Sequence, residues 1–207
     1  MGSLSGATGL LVGAISYALG VCALVDPGDM ALPTPCPDWD LGTLLAHLSD
    51  SVADLESAIR TGRLDLERPG NPPRPPAACP AAGDPVDVLR GRAAALLSVS
   101  YCYAGPEWFV DVGGLPVPAG LVVCTGAVEI AVHGWDVSSA LGSGAPIPAG
   151  LATRMLRLCP LLVAGREGLF AAPVEVPARA SPGDQLLGYL GRRPRNTPAE
   201  PNLVTDE

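Results

Sequence analysis

The chain has 207 residues, of which 48% are hydrophobic and 16% charged, and its formal net charge is −8. This apolar content excludes a disordered chain and is enough for one globular core. All 13 basic residues are arginines and the first is Arg60, so no basic patch precedes the middle of the chain, and the acidic balance argues against nucleic acids and anionic membranes as partners. A late basic group at Arg192, Arg193 and Arg195 could bind one anionic group, but it is interpreted as a solvated end of the chain.

Helical periodicity runs through most of the sequence and predicts an all-α fold without a strand-rich region. The predicted helices cover about 3–25, from Asp38 or Asp40 to near Gly62, from Pro85 to about Tyr103, 118–141, 148–163 and 182–190. An irregular crossing with Trp108, Gly113 and Gly114 precedes the fourth helix. We expect one bundle over 1–165 with a proline-rich connector at 69–85, a C-terminal extension over 166–207 that packs on it, and a disordered tail from about 194.

The apolar run at 4–25 is the segment that raises the question of a membrane. Polar residues such as Ser5 and Thr8 interrupt this run, and no basic residue precedes it, which argues against a secretory signal. We therefore expect a buried helix and a cytoplasmic protein, with room for a homodimer along this helix. The six cysteines form no CxxC pair, so most are expected to be small core residues.

The two histidines of the chain, His47 and His133, both lie in the middle of predicted core helices. Glu129 precedes His133 by four residues, so both side chains share one face of a helix. A glutamate among apolar neighbours needs a cation partner, and this helix carries no Lys or Arg. A metal held together with His47 would supply that partner, and two imidazoles with one carboxylate are the ligand set of catalytic zinc. Two other interpretations stay open: His47 bonded to a helix carbonyl, and Glu129 paired with His133 on an exposed face.

Two sequence stretches then carry a resemblance to a known family. TPCPDWDL at 34–41, followed by LLAHL at 44–48, and EIAVHGWD at 129–136 resemble the signatures of the mycothiol-dependent maleylpyruvate isomerase-like proteins of the DinB-like superfamily. The resemblance extends weakly to the C-terminal stretch 170–191. It implies a DinB-like four-helix bundle with a divalent metal, usually zinc, that is held by His47, Glu129 and His133, and it implies the thiol mycothiol as co-substrate.

Four further side chains are candidates for this site. Asp136 could orient a metal ligand or bind the cofactor, but it could equally be a solvated helix residue. Ser51, one turn after His47, is expected to face the same cavity and is the second catalytic candidate. Trp39 and Trp135 are candidates for contact with the cofactor, although packing of the helix ends also explains both.

The predicted function is a zinc-dependent, mycothiol-using isomerase or S-transferase that acts on a small electrophilic metabolite. One alternative is a thiol-independent tailoring enzyme of secondary metabolism that uses the metal as a Lewis acid in a hydrolysis, cyclisation or rearrangement. Another alternative is a metal-stabilised binding protein without catalysis. A polar pocket for a sugar and inositol would favour the first, and an apolar one the second.

Overall fold

The computed structural model describes residues 4–64, 83–103, 107–162 and 171–194. Most of the proline-rich connector predicted at 69–85 and the tail predicted from about 194 lie outside the described residues. The helices are α1 Leu4–Cys22, α2 Leu41–Thr61, α3 Pro85–Tyr103, α4 Ala119–Ala140, α5 Ala149–Leu162 and α6 Pro182–Tyr189. A short 3-10 helix, Pro27–Ala31, follows α1.

Helices α1 to α4 form a bundle in which α4 packs against α1 and α2, and α3 packs against α2 and α1. α4 is buried almost all round, as its apolar sequence predicts. α5 contacts α1 and α4, and α6, in which Leu186 and Leu187 are buried, packs against α5. The predicted helical fold is confirmed, with helix ends within a few residues of those expected.

The start of α2 is fixed by Asp40 rather than by Asp38. The Asp40 carboxylate accepts a hydrogen bond of 2.8 Å from the backbone N–H of Thr43, which otherwise has no partner inside the helix. This cap places His47 two turns into α2, in the middle of the bundle.

The segment with Gly113 and Gly114, which the sequence predicted as irregular, forms part of a small β-sheet, so that prediction is wrong. Strands β1 (Arg63–Leu64), β2 (Phe109–Val112) and β3 (Leu115–Pro118) pair in that order, β1 parallel to β2 and β2 antiparallel to β3. The turn between β2 and β3 is Gly113-Gly114, and both glycines adopt positive φ as a two-residue hairpin requires. The prolines in β3 make this strand hard to recognise from the sequence, because proline donates no hydrogen bond to a sheet and is tolerated on edge strands.

In the described part of the chain, α4 alone is long and apolar enough to cross a membrane, judged by length and composition. The most apolar window of α4 is 67% buried inside the bundle, so the helix packs as a core helix does. The first helix, where the sequence raised the question, packs against α4.

Candidate metal centre

Three side chains from two helices meet in the bundle. α4 carries Glu129 and His133 four residues apart, and α2 carries His47. The Oε1 atom of Glu129 lies 3.0 Å from Nε2 of His133 and 3.5 Å from Nε2 of His47. One ligand atom of each residue lies within 4.8 Å of the other two, so a single ion could contact all three. We call the group of His47, Glu129 and Ser51 at the Nε2 edge of the His133 ring the open side. The name reflects their exposure, since the His47 and Glu129 side chains are 32% and 31% exposed.

The other nitrogen of the His133 ring faces a different group. Its Nδ1 lies 2.9 Å from Oδ2 of Asp136, whose side chain is fully buried. Arg192 donates to both carboxylate oxygens of Asp136, from Nε at 3.2 Å and from Nη2 at 2.9 Å. The Cys36 thiol donates to the same carboxylate at 3.4 Å. We call this group of Asp136, Arg192 and Cys36 the closed side.

The loop before α2 brings two side chains to the centre. Thr34 holds the loop, since its Oγ1 accepts from the backbone N–H of Cys36 at 3.1 Å and donates to the carbonyl of Trp39 at 2.9 Å. The ring centroid of Trp39 then lies 4.7 Å from that of His47 and 6.3 Å from that of His133. Trp39 therefore forms a wall beside both imidazoles, and the TPCPDWDL stretch acts as a structural support of the site.

Charges within the group are strongly coupled. Burial opposes charge on Glu129, but contact with His133 and His47 holds the pKa of its carboxyl well below the usual range. Burial likewise opposes charge on His133, yet Glu129 and the hydrogen bond to Asp136 raise the pKa of its ring well above the ordinary value. Without a metal, the two neighbouring carboxylates therefore favour the protonated form of the His133 ring. A metal ion would have to displace the proton on Nε2.

Two groups in the described residues have the chemistry of a metal site, and they share His133. The first is His47, Glu129 and His133, and the second is Cys36, His133 and Asp136. In the second group the guanidinium of Arg192 already occupies both oxygens of Asp136 and lies 3.6 Å from Cys36 Sγ. A metal ion there would meet a fixed positive charge. Within the described part of the chain, the first group has no such competitor, because the hydrogen-bond partners of its carboxylate are imidazole nitrogens. The open side therefore fits a divalent metal, and the closed side fits a support for His133.

The structure brings most of the sequence-predicted site residues together. Ser51 lies at the open side, with Oγ 3.5 Å from Nε2 of His47. Asp136 is not the solvated helix residue that the sequence allowed, since it is fully buried beside His133. Trp135 points elsewhere and lines a cavity of about 280 Å³ with Ser138 and Ser181.

Arg192 is the residue that sequence reasoning missed. The sequence predicts a solvated terminus at this position, and that prediction is wrong because the Arg192 side chain is only 15% exposed and binds the buried Asp136. The signal in the sequence was weak: Gly191 after an apolar helix indicates a tight turn, which directs the next residue back to the bundle. Arg193, the next residue, is exposed.

Comparisons with known proteins identify the family of the chain. The family model described as the mycothiol maleylpyruvate isomerase N-terminal domain matches residues 14–138, more than half of the chain. Two curated relatives, the uncharacterized proteins MT0763 and Rv0738 of Mycobacterium tuberculosis strains CDC 1551 and H37Rv, are each 28% identical over 170 residues, which is 79% of this chain and 85% of theirs. No solved structure matches the chain significantly. The matched range contains the open side and Asp136. The chain therefore belongs to the mycothiol maleylpyruvate isomerase N-terminal domain family, in the DinB-like superfamily.

Proposed function

We propose that this protein is a zinc-dependent enzyme that uses mycothiol as co-substrate, either to isomerise a small electrophilic metabolite or to join the mycothiol sulfur atom to it as an S-transferase does. The observation that carries the proposal is the convergence of His47, Glu129 and His133, since one ligand atom of each lies within 4.8 Å of the other two. The mycothiol in the name of the family supplies the thiol of the proposal. A cytoplasmic location and a homodimer along α1 stay predictions.

The residues of the open side would hold the metal through two neutral imidazoles and one carboxylate, which leaves a further position for an external ligand. A bound zinc ion lowers the pKa of a thiol ligand, so that the thiolate is present at neutral pH. Ser51 Oγ stands beside His47 and can donate a hydrogen bond to an anionic ligand at the same place. Trp39 excludes water on one flank of both imidazoles.

Asp136 has a separate task, which is to keep His133 in the correct tautomer. Its carboxylate can accept a hydrogen bond from Nδ1–H, which keeps the proton on Nδ1 and leaves Nε2 free as a ligand. Isomerase and S-transferase reactions both start from a thiolate at this position, and they differ only in whether the thiol leaves again.

Calorimetry tests whether mycothiol binding depends on the zinc ion. Mycothiol titrated into the zinc-loaded chain should bind far more tightly than to the metal-free chain, and the binding heat in two buffers of different ionisation enthalpy should reveal one released proton. A matched control is His133→Ala, which keeps α4 but loses a ligand. Equal affinity with and without zinc, or no binding at millimolar thiol, would contradict the proposal and favour a thiol-independent, metal-dependent tailoring reaction.

A further inference from the structure

The segment after α6 holds Arg192 in a fixed place. α6 ends in a Schellman motif, in which Gly191 N–H bonds to the Gly188 carbonyl at 3.1 Å and Arg192 N–H bonds to the Leu187 carbonyl at 2.8 Å. Gly191 has the left-handed φ of 79° that this motif needs. A Cβ at Gly191 would also lie 2.6 Å from the side chain of Ala171, so the turn accepts glycine only. The backbone thus aims the Arg192 side chain at the bundle.

The Arg192 side chain then fixes the plane of the Asp136 carboxylate. A guanidinium that contacts both oxygens of a carboxylate restricts its rotation more than a single donor does. Oδ2 of Asp136 keeps its contact with His133 Nδ1, and Oδ1 has Arg192 Nε as its donor. Loss of Arg192 would leave Oδ1 of a fully buried carboxylate without this bond, and the carboxylate could then turn away from His133.

We propose that Arg192 is a positioning residue, which orients His133 through Asp136 so that the segment after α6 completes the metal centre. The inference rests on the proposed function, because it needs a metal at His47, Glu129 and His133. Arg192 lies outside the residues 14–138 that the family model matches, so the proposal assigns a role in the site to the C-terminal part of the chain.

The direction of the change in metal affinity on removal of Arg192 distinguishes a positioning role from a purely electrostatic effect of its charge. Arg192 is a cation close to a cation site, so Coulomb repulsion alone predicts that its removal tightens metal binding. Positioning predicts the opposite, because a misoriented His133 binds the metal less well. A purely structural role predicts lower thermal stability with unchanged metal affinity of the folded protein.

The experiment measures zinc affinity of the full chain by competition with a chromophoric chelator, at a temperature where circular dichroism shows every variant folded. Arg192→Gln should weaken zinc binding about tenfold. Arg192→Lys keeps the charge and one donor, so it should lie between Arg192→Gln and the wild type. The matched control is Arg193→Gln at the exposed neighbouring position, which should bind zinc as the wild type does.

A double-mutant cycle completes the test. If Arg192 acts through Asp136, Arg192→Gln should cost no further zinc affinity in the Asp136→Asn background. Zinc affinity that is unchanged or higher in Arg192→Gln, or losses that add fully in the cycle, would overturn the inference. Absence of zinc binding by the wild type itself would overturn the proposed function and this inference together, and is thereby distinguishable from failure of Arg192 alone.

Discussion

Each side of the His133 ring has a carboxylate beside it, and the two carboxylates differ in exposure and in their partners. On the open side, Glu129 meets two imidazoles and its side chain is 31% exposed. On the closed side, Asp136 is 0% exposed and pairs with Arg192. Each side has one carboxylate in contact with the same ring, but among the residues that the structure describes only the closed side has a guanidinium as partner.

This difference indicates which side of the His133 ring can bind a metal ion. On the closed side the chain supplies its own cation, so the buried carboxylate is already neutralised. On the open side, the partners of Glu129 are imidazoles, which can bind a cation as neutral ligands. An external divalent ion therefore fits the open side, and the fixed ion pair of the closed side keeps His133 in place for it.

Removal of an imidazole is the largest change that can be made to the open side. His47→Ala and His133→Ala should each abolish stoichiometric metal binding, because two ligands do not hold a zinc ion in competition with buffer. Metal analysis of dialysed protein checks this prediction. Thr125→Ala, an exposed position one turn before Glu129 on the same helix, is the control and should retain about one ion per chain. Full occupancy in either histidine variant would rule out this ligand set.

The closed side should govern stability instead. Arg192→Ala removes the guanidinium that pairs with the buried Asp136 carboxylate and should lower the free energy of unfolding by about 3–5 kcal/mol. Arg92 forms an ion pair of 2.7 Å with Asp50, but these side chains are 35% and 56% exposed. Arg92→Ala should therefore cost less than about 1 kcal/mol. Urea unfolding of the metal-free variants compares the two, and equal costs would contradict the distinction between a buried and an exposed pair.

Glu129→Gln tests the carboxylate of the open side. The amide oxygen can still coordinate, but the negative charge is lost, so metal binding should weaken less than on removal of either imidazole. Competition with a chelator measures this difference. Wild-type affinity in Glu129→Gln would mean that Glu129 does not contact the metal.

A proton should compete with the metal at His133. Because the pKa of His133 is raised in the metal-free protein, the ring is protonated below that pKa and must lose a proton when the metal binds. Zinc affinity should therefore fall about tenfold for each pH unit below the raised pKa. Zinc titrations over a series of pH values check the slope. An affinity independent of pH across this range would argue against His133 as a ligand.

Ser51 should give the smallest effect. Ser51→Ala removes a hydroxyl but no metal ligand, so zinc content should not change and mycothiol affinity should fall by a factor of a few, about 0.5–1.5 kcal/mol. Calorimetry on the zinc-loaded protein measures the thiol affinity. The matched control is Ser49→Ala, also in α2, because the Ser49 hydroxyl is buried and has no hydrogen-bond partner among the described residues. Loss of zinc from Ser51→Ala would show that the hydroxyl supports His47 rather than the thiol.

The sequence predicted the open side because its information is local. Glu129 and His133 lie one turn apart on a helix, and each histidine stands in a short motif that can be recognised. The closed side depends on distant contacts, since Arg192 is 56 residues from Asp136 and reaches it only when the turn after α6 docks on the bundle. The hairpin was missed for a local reason, because Pro116 and Pro118 interrupt the usual strand pattern. Helix periodicity thus predicted the bundle, and the four-residue spacing together with the two motifs predicted the candidate metal ligands. Tertiary packing decided the contacts of Asp136 with Arg192 and His133.

X-ray absorption of the zinc-loaded chain, measured without thiol, tests most directly which side holds the metal. The open side supplies nitrogen and oxygen ligands, so the first shell should contain only light scatterers, at about 2.0–2.2 Å. The closed-side group contains Cys36, and a metal bound there would add a sulfur at about 2.3 Å. A spectrum with imidazole scattering and no sulfur is the predicted result. A sulfur shell that disappears in Cys36→Ser would contradict the assignment of the metal to His47, Glu129 and His133.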